Sequence, residues 1–392
     1  GDMSEKQVNQ IIGKIFDQLA DTLATGEYGQ KPKIGITAMG SEHGEKNIIE
    51  AALKAQKSGI EVTAIASQDA EGVKIAKVNS EDESHKVMET LLSSKEIDAA
   101  VTMHYPFPIG VSTVGRIVTP GKGKEMFIAT TTGTSSTDKV EGMVKNAIYG
   151  IITAKACGIK NPTVGILNID GARQTEIALK KLQSQGYDIT FAESQRADGG
   201  SVMRGNDLLM ASADVMVMDS LTGNLMIKIF SSYTTGGSYE SLGYGYGPGI
   251  GEGFDKLIMI ISRASGAPLV EGAIKYAAEL VRGNCLNIAK EEFEKANKAG
   301  LKEILSSLKS SKKETTAEEI TAPKKEVVTS QISGVEIMDL EDAVKVLWKK
   351  GIYAESGMGC TGPIILVNDA NTKEAIKVLA EAEYVSKEQL DC

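Results

Sequence analysis

The chain has 392 residues, 42% of them hydrophobic and 24% charged, which is enough to bury a full core in two or three domains. Lys and Arg total 43 against 52 Asp and Glu, a formal charge of -9 without a long basic run, which excludes nucleic acid as an expected partner. No stretch approaches the roughly 20 uninterrupted apolar residues of a membrane helix, and the opening GDMSEKQVNQ has neither a basic flank nor an apolar segment. A cytoplasmic protein without a membrane partner is expected.

Residues 4–25 space Val8, Ile11, Ile12, Ile15, Phe16, Leu19 and Leu23 three and four apart, predicting an amphipathic opening helix that ends near Gly26. From Lys33, short apolar runs alternate with helical stretches: KIGITAMG, NIIEAALKAQKSG, IEVTAIAS, DESHKVMETLLSSKEID and AAVTMH. PTVGILNID, RQTEIALKKLQSQG, YDITFAES and ADVMVMDS then read as strand, helix, strand and strand. The expected fold is α/β, a doubly wound and mostly parallel sheet with helices on both faces, over residues 1–305. Residues 306–330 are poor in large apolar side chains and crowded with Lys, Glu, Ser and Thr, the composition of a flexible linker. Residues 331–392 repeat the helix and strand patterns on a smaller scale and predict a small C-terminal α/β unit.

Four cysteines lie far apart at Cys157, Cys285, Cys360 and Cys392, which fits reduced thiols better than a zinc site or a disulfide framework. Cys157 and Cys285 have apolar or helical surroundings and read as packed residues, and Cys392 has no organised neighbourhood. Cys360 stands in SGMGCTGP, among Gly357, Gly359, Thr361 and Gly362. Glycines permit backbone N–H groups to converge, which lowers a thiol's pKa and stabilises a thioester oxyanion. The same residues also suit a tight turn around a small buried side chain, and the residues alone leave both readings open.

Two segments have the polar groups to bind an anion without a metal. Gly133, Thr134, Ser135 and Ser136 precede a helix predicted to start near Asp138. Ser220, Thr222, Gly223 and Asn224 follow the strand that ends at Asp219, where ligands of open α/β sheets bind. Helix capping alone explains part of this chemistry. GPGIGEGFD at 247–255 lacks the preceding strand and distant acid of a dinucleotide site. His43, His85 and His104 are too scattered for a metal constellation, and His104 reads as structural although it follows a strand and could line a cleft.

ITAMG, PTVGILNI and DVMVMDSLTGN followed by LMIK, in that order, resemble the acyl-ACP:phosphate acyltransferase family over roughly residues 33–285. The likeness implies transfer of an acyl group from a thioester to inorganic phosphate, with no bound cofactor or metal. Asn224 matches the asparagine of the TGN motif and Asn168 that of LNI. The loop DGARQTE, Asp170 to Glu176, lacks the family's lysine, and Arg173 is the cation available to hold phosphate instead. With the tail included, the whole chain resembles the alpha subunits of component C of glycine/sarcosine/betaine reductases. That narrower likeness implies phosphorolysis of an acetyl thioester on Cys360, a beta-subunit partner resembling a ketoacyl synthase, and selenoprotein A as donor of the two-carbon unit. A homo-oligomer, a stand-alone acyl-ACP or acyl-CoA:phosphate acyltransferase, and a non-catalytic docking subunit remain open.

Overall fold

The computed structural model describes residues 12, 13, 15, 16, 19, 20, 23, 29–196, 199–315, 320–335, 339–359 and 362–385. Two compact units divide the chain, residues 1–308 and 309–392. Of the opening helix, Ile12, Ile15, Phe16, Leu19 and Leu23 are described, and all five are helical with exposed apolar side chains.

The first unit begins with β1 (Lys33–Thr37), α1 (Glu45–Gln56), β2 (Glu61–Ala66), β3 (Lys74–Lys77), α2 (Glu81–Ser93) and β4 (Ala99–Thr102). A hairpin of β5 (Val111–Val118) and β6 (Glu125–Thr134) leads into α3 (Lys139–Ala156), β7 (Thr163–Leu167) and α4 (Ala172–Ser184). Then come β8 (Thr190–Phe191), β9 (Val202–Met203), α5 (Gly205–Met210), β10 (Val215–Val217) and α6 (Ser220–Ser232). β11 (Gly247–Ile250), β12 (Ile258–Ile260), α7 (Ala267–Arg282), α8 (Cys285–Lys298) and α9 (Leu301–Thr315) complete the run.

Among the described residues the sheet has 12 strands in the order β3-β2-β1-β4-β12-β11-β5-β6-β10-β7-β8, with β9 beside β7. Its two flanks are parallel, as the alternating pattern predicts. β5 and β11 join them by antiparallel pairing and add an element that the βαβ reading lacks. Side-chain alternation explains why the flank strands read as continuous apolar runs. Phe127, Ala129, Val215, Val217 and Met259 enter one core, while Ile128, Met216, Ile258 and Ile260 enter another. Both faces are covered, so neither set of alternating positions has to be polar.

Packing is tight where helices cross the sheet. A Cβ on Gly150 of α3 would lie 2.3 Å from Val215 Cγ1, so glycine sets how closely α3 approaches β10. Asp138 begins α3 by accepting the Glu141 N–H at 2.9 Å.

The segment 306–330 read as linker starts inside α9, so residues 306–315 are helical, and it ends on a strand. The second unit contains β13 (Ser330–Ser333), α10 (Leu340–Lys349), β14 (Ala354–Gly359), β15 (Gly362–Val367) and α11 (Thr372–Glu381). Its antiparallel sheet runs β13-β15-β14 and packs on a separate core that includes Ile332, Leu347, Ile365 and Leu379.

Candidate active site

A cleft of about 410 Å³ opens in the first unit. One wall comes from Met103, His104, Tyr105 and Phe107, which follow β4, and from Ile260 at the end of β12 with Ile261, Ser262 and Arg263 after it. Thr132 of β6, Asn224 and Lys228 of α6, and Tyr246 form the other. Carboxyl ends of strands from both parallel flanks thus face one space, the general position of ligands in open α/β sheets.

The sequence around α6 explains how its polar groups are aimed. Asp219 caps the helix: Oδ1 accepts the Thr222 N–H at 3.0 Å and Oδ2 accepts the Thr222 hydroxyl at 2.8 Å. At Gly223 a Cβ would lie 1.6 Å from the Thr130 carbonyl oxygen, so glycine alone lets the helix touch β6 here. That contact brings the next residue to the strand, where Asn224 Nδ2 donates to Thr131 O at 3.0 Å. The bond fixes the amide while using only one of its N–H groups.

One turn further along, Lys228 Nζ donates to Tyr246 Oη at 3.1 Å and lies 5.5 Å from the ring centre. Tyr246 in turn donates to buried Glu240 at 2.7 Å. Burial first, and the neighbouring Glu240 next, hold the Tyr246 phenol well above its usual pKa. Tyr246 therefore keeps its proton for Glu240 and offers a lone pair to the lysine. Across the cleft, Arg263 is the second cation, paired with Glu81. The Arg263 hydrogen bond holds the Glu81 carboxyl below its usual range, so the pair is ionised at neutral pH. Tyr105 is fixed by donating to Glu89 at 2.5 Å.

Of the residues singled out from sequence, Asn224 lines this cleft. Ser220, Thr222 and Gly223 occupy the first turn of α6, with Thr222 engaged by the Asp219 cap. Gly133 and Thr134 close β6 as strand residues, and the backbone of Gly133 turns with φ +86°. The Ser135 hydroxyl is buried and occupied: it lies 2.5 Å from Ser112 Oγ and donates to Asn146 Oδ1. Asn146 also donates to Met218 O at 2.9 Å, tying the segment after β6 to the segment before α6. Ser136 Oγ accepts the Asp138 N–H at 3.1 Å.

Asn168 and Arg173 lie after β7, outside the cleft lining, with the Asn168 N–H bonded to Met203 O at 2.8 Å. The loops nevertheless converge: Lys139 Nζ is 3.7 Å from Asp170 and 4.0 Å from Asp219. Gly357 and Gly359 are strand residues of β14, Gly362 starts β15, and Gly359 pairs with Gly362. Cys360 and Thr361 lie outside the described residues, as does Cys392. Burial pushes the Cys285 thiol up to about 12 and the Cys157 thiol higher still.

Sequence reading missed Lys228, Arg263, Thr132 and Tyr105. Lys228 had a usable signal, because position i+4 from Asn224 shares its helix face. Arg263 follows the buried run LIMII, where the strand-end rule applies. His104, read as structural, faces the cleft and stacks on His85 with ring centres 6.4 Å apart. Among the described residues, no group of three or more His, Cys, Asp or Glu could hold a metal ion, and no helix is long and apolar enough to cross a membrane.

The fatty acid synthesis protein family model matches residues 32–366. The glycine/sarcosine/betaine reductase complex component C subunit alpha of Peptoclostridium acidaminophilum is 61% identical over 382 residues, covering 97% of this chain and 99% of that protein. Phosphate acyltransferases of Lactobacillus gasseri and Bacillus anthracis are 27% and 28% identical over 238 and 239 residues, in each case 50% of this chain and 70% of the relative. The chain belongs to the fatty acid synthesis protein family, in its branch of glycine/sarcosine/betaine reductase component C alpha subunits.

Proposed function

We propose that this chain forms acetyl phosphate as a subunit of a glycine, sarcosine or betaine reductase complex. The observation that carries the reading is the meeting of one fixed amide, Asn224, with two cations, Lys228 and Arg263, in a cleft at strand carboxyl ends. The 61% identity to a component C alpha subunit supports it across nearly the whole chain.

Inorganic phosphate is the co-substrate. Held by the cations, it presents an oxygen to the carbonyl carbon of an acetyl thioester. As that oxygen–carbon bond forms, the carbonyl electron pair becomes a tetrahedral oxyanion, for which the second Asn224 N–H and the Lys228 ammonium are candidate donors. Collapse of the intermediate breaks the carbon–sulfur bond, the thiolate leaves, and acetyl phosphate is released.

We assign the thioester to Cys360. Burial keeps the Cys157 and Cys285 thiols protonated, and of the four cysteines Cys360 has glycines on both sides within two residues. The beta subunit of component C is the proposed partner and the complex's selenoprotein the two-carbon donor.

Exchange of labelled inorganic phosphate into acetyl phosphate, catalysed by the full chain with its beta subunit, tests the reading. Wild type should exchange label and Cys360→Ala should lose the reaction. Full exchange by Cys360→Ala would point to an acyltransferase that uses an external thioester. No exchange by wild type in the complex would point to a docking subunit.

A further inference from the structure

Arg263 reaches the cleft with one edge of its guanidinium already committed. Nη1 donates to Gly40 O at 3.0 Å and to Glu81 Oε1 at 3.2 Å, and Nη2 donates to Glu81 Oε2 at 2.7 Å. Glu81 therefore grips the end of the group, the edge shared by Nη1 and Nη2. The side edge, Nε–H with the second Nη2 hydrogen, takes no part in these bonds. A guanidinium side edge is a planar pair of donors that matches two oxygens of one oxyanion.

The residues around this grip are arranged to hold it. Gly40 follows β1 with φ +92°, and a Cβ there would stand 2.0 Å from Arg263 Nη1 and 2.9 Å from Glu81 Oε1. At this φ glycine is favoured, and any side chain would push the guanidinium and carboxylate ends out of their present places. Ser80 caps α2 by accepting the Glu83 N–H at 3.1 Å, which puts Glu81 in the first helical turn. Arg263 is tied through its backbone as well, its carbonyl accepting the Glu42 N–H at 2.9 Å. Both side chains of the pair are close to half exposed, 45% and 48%, a setting in which an ion pair contributes little to stability. The geometry is better explained by what it does for the arginine than by what it does for the fold.

We infer that Glu81 and Gly40 are positioning residues that hold Arg263 as a two-pronged fork for the phosphate co-substrate, its Nε/Nη2 edge turned to the cleft. The inference rests on the reading of the cleft as the phosphate site. It has the site grip its oxyanion, phosphate or arsenate, through two oxygens.

The test is the phosphate KM of the labelled-phosphate exchange, measured with the full chain and beta subunit. Glu81→Gln keeps the size of the side chain but removes its charge and turns one acceptor into a donor. It should raise phosphate KM roughly tenfold, with kcat within about twofold and the melting temperature unchanged. Gly40→Ala should raise it further by displacing Nη1. If Arg263→Lys raises phosphate KM but Glu81→Gln does not, the clamp is refuted while the phosphate cleft stands. If neither variant moves phosphate KM, the cleft reading itself is wrong. A joint fall of kcat and melting temperature in Glu81→Gln would assign Glu81 a structural role and overturn the inference.

Discussion

The segment after β6 and the start of α6 look alike in sequence, each a cluster of hydroxyls and glycine before an apolar helix, yet they have opposite fates in the fold. Ser135 turns inward and is consumed by Ser112 and Asn146, and Ser136 is consumed by a turn. At α6 the cap uses Asp219 and Thr222, and the helix then delivers Asn224 and Lys228 to the cleft. Hydroxyl-rich segments supply chemistry only with the groups that their own turns leave over.

The largest effect that could break this contrast is on catalysis. Lys228→Ala removes a cleft cation and should lower labelled-phosphate exchange about a hundredfold, with little change in thermal stability because the residue as a whole is exposed. Ser135→Ala should leave exchange within about twofold. Equal losses in the two variants would restore the segment after β6 as a binding element.

Next in size is the contact that seats α6. Gly223→Ala places a methyl 1.6 Å from the Thr130 carbonyl oxygen, a distance that backbone cannot absorb without moving the helix. A stability loss of about 2–4 kcal/mol is expected from denaturant unfolding, together with weakened phosphate binding. Asn146→Leu then tests the inward network. It removes the amide's bonds to Met218 O and the Ser135 hydroxyl, which keep the Thr130 N–H and Ser112 as partners, and should cost about 1–2 kcal/mol. A neutral result would mean that the network contributes nothing to holding the two segments together.

The smallest effect separates the thiols. Burial raises the Cys285 pKa to about 12 and that of half-buried Cys157 still higher, so both are neutral thiols below that range. Iodoacetamide at about pH 8, followed by peptide mapping, should leave them unmodified while Cys360 is labelled. Rapid labelling of Cys285 in the native state would contradict the assignment by burial.

The parallel flanks were legible because strands covered on both faces leave continuous apolar runs, and α1, α2 and α4 keep a helical period beside them. The β5–β6 hairpin was not, because Arg116 interrupts its apolar run. The structure buries that arginine by pairing it with Glu125 and Glu279, the latter at 2.8 Å, and stacking it 4.5 Å from the Tyr244 ring centre. A charge neutralised by residues far along the chain reads as solvent-facing until the partners are known. Arg263 escaped for a related reason: its carboxylate and carbonyl partners come from α2 and from the turn after β1. Asn224 was found because its motif is local, whereas the cations around it are assembled by the topology.

The most direct test of the account is peptide mapping of the full chain after incubation with acetyl phosphate, followed by a chase with inorganic phosphate. An acetyl group should form on Cys360 and be removed by phosphate, and loading should be greatly reduced in Lys228→Ala. Failure of any cysteine to become acetylated with the beta subunit present, or loading of Cys360 that is indifferent to Lys228, would contradict it.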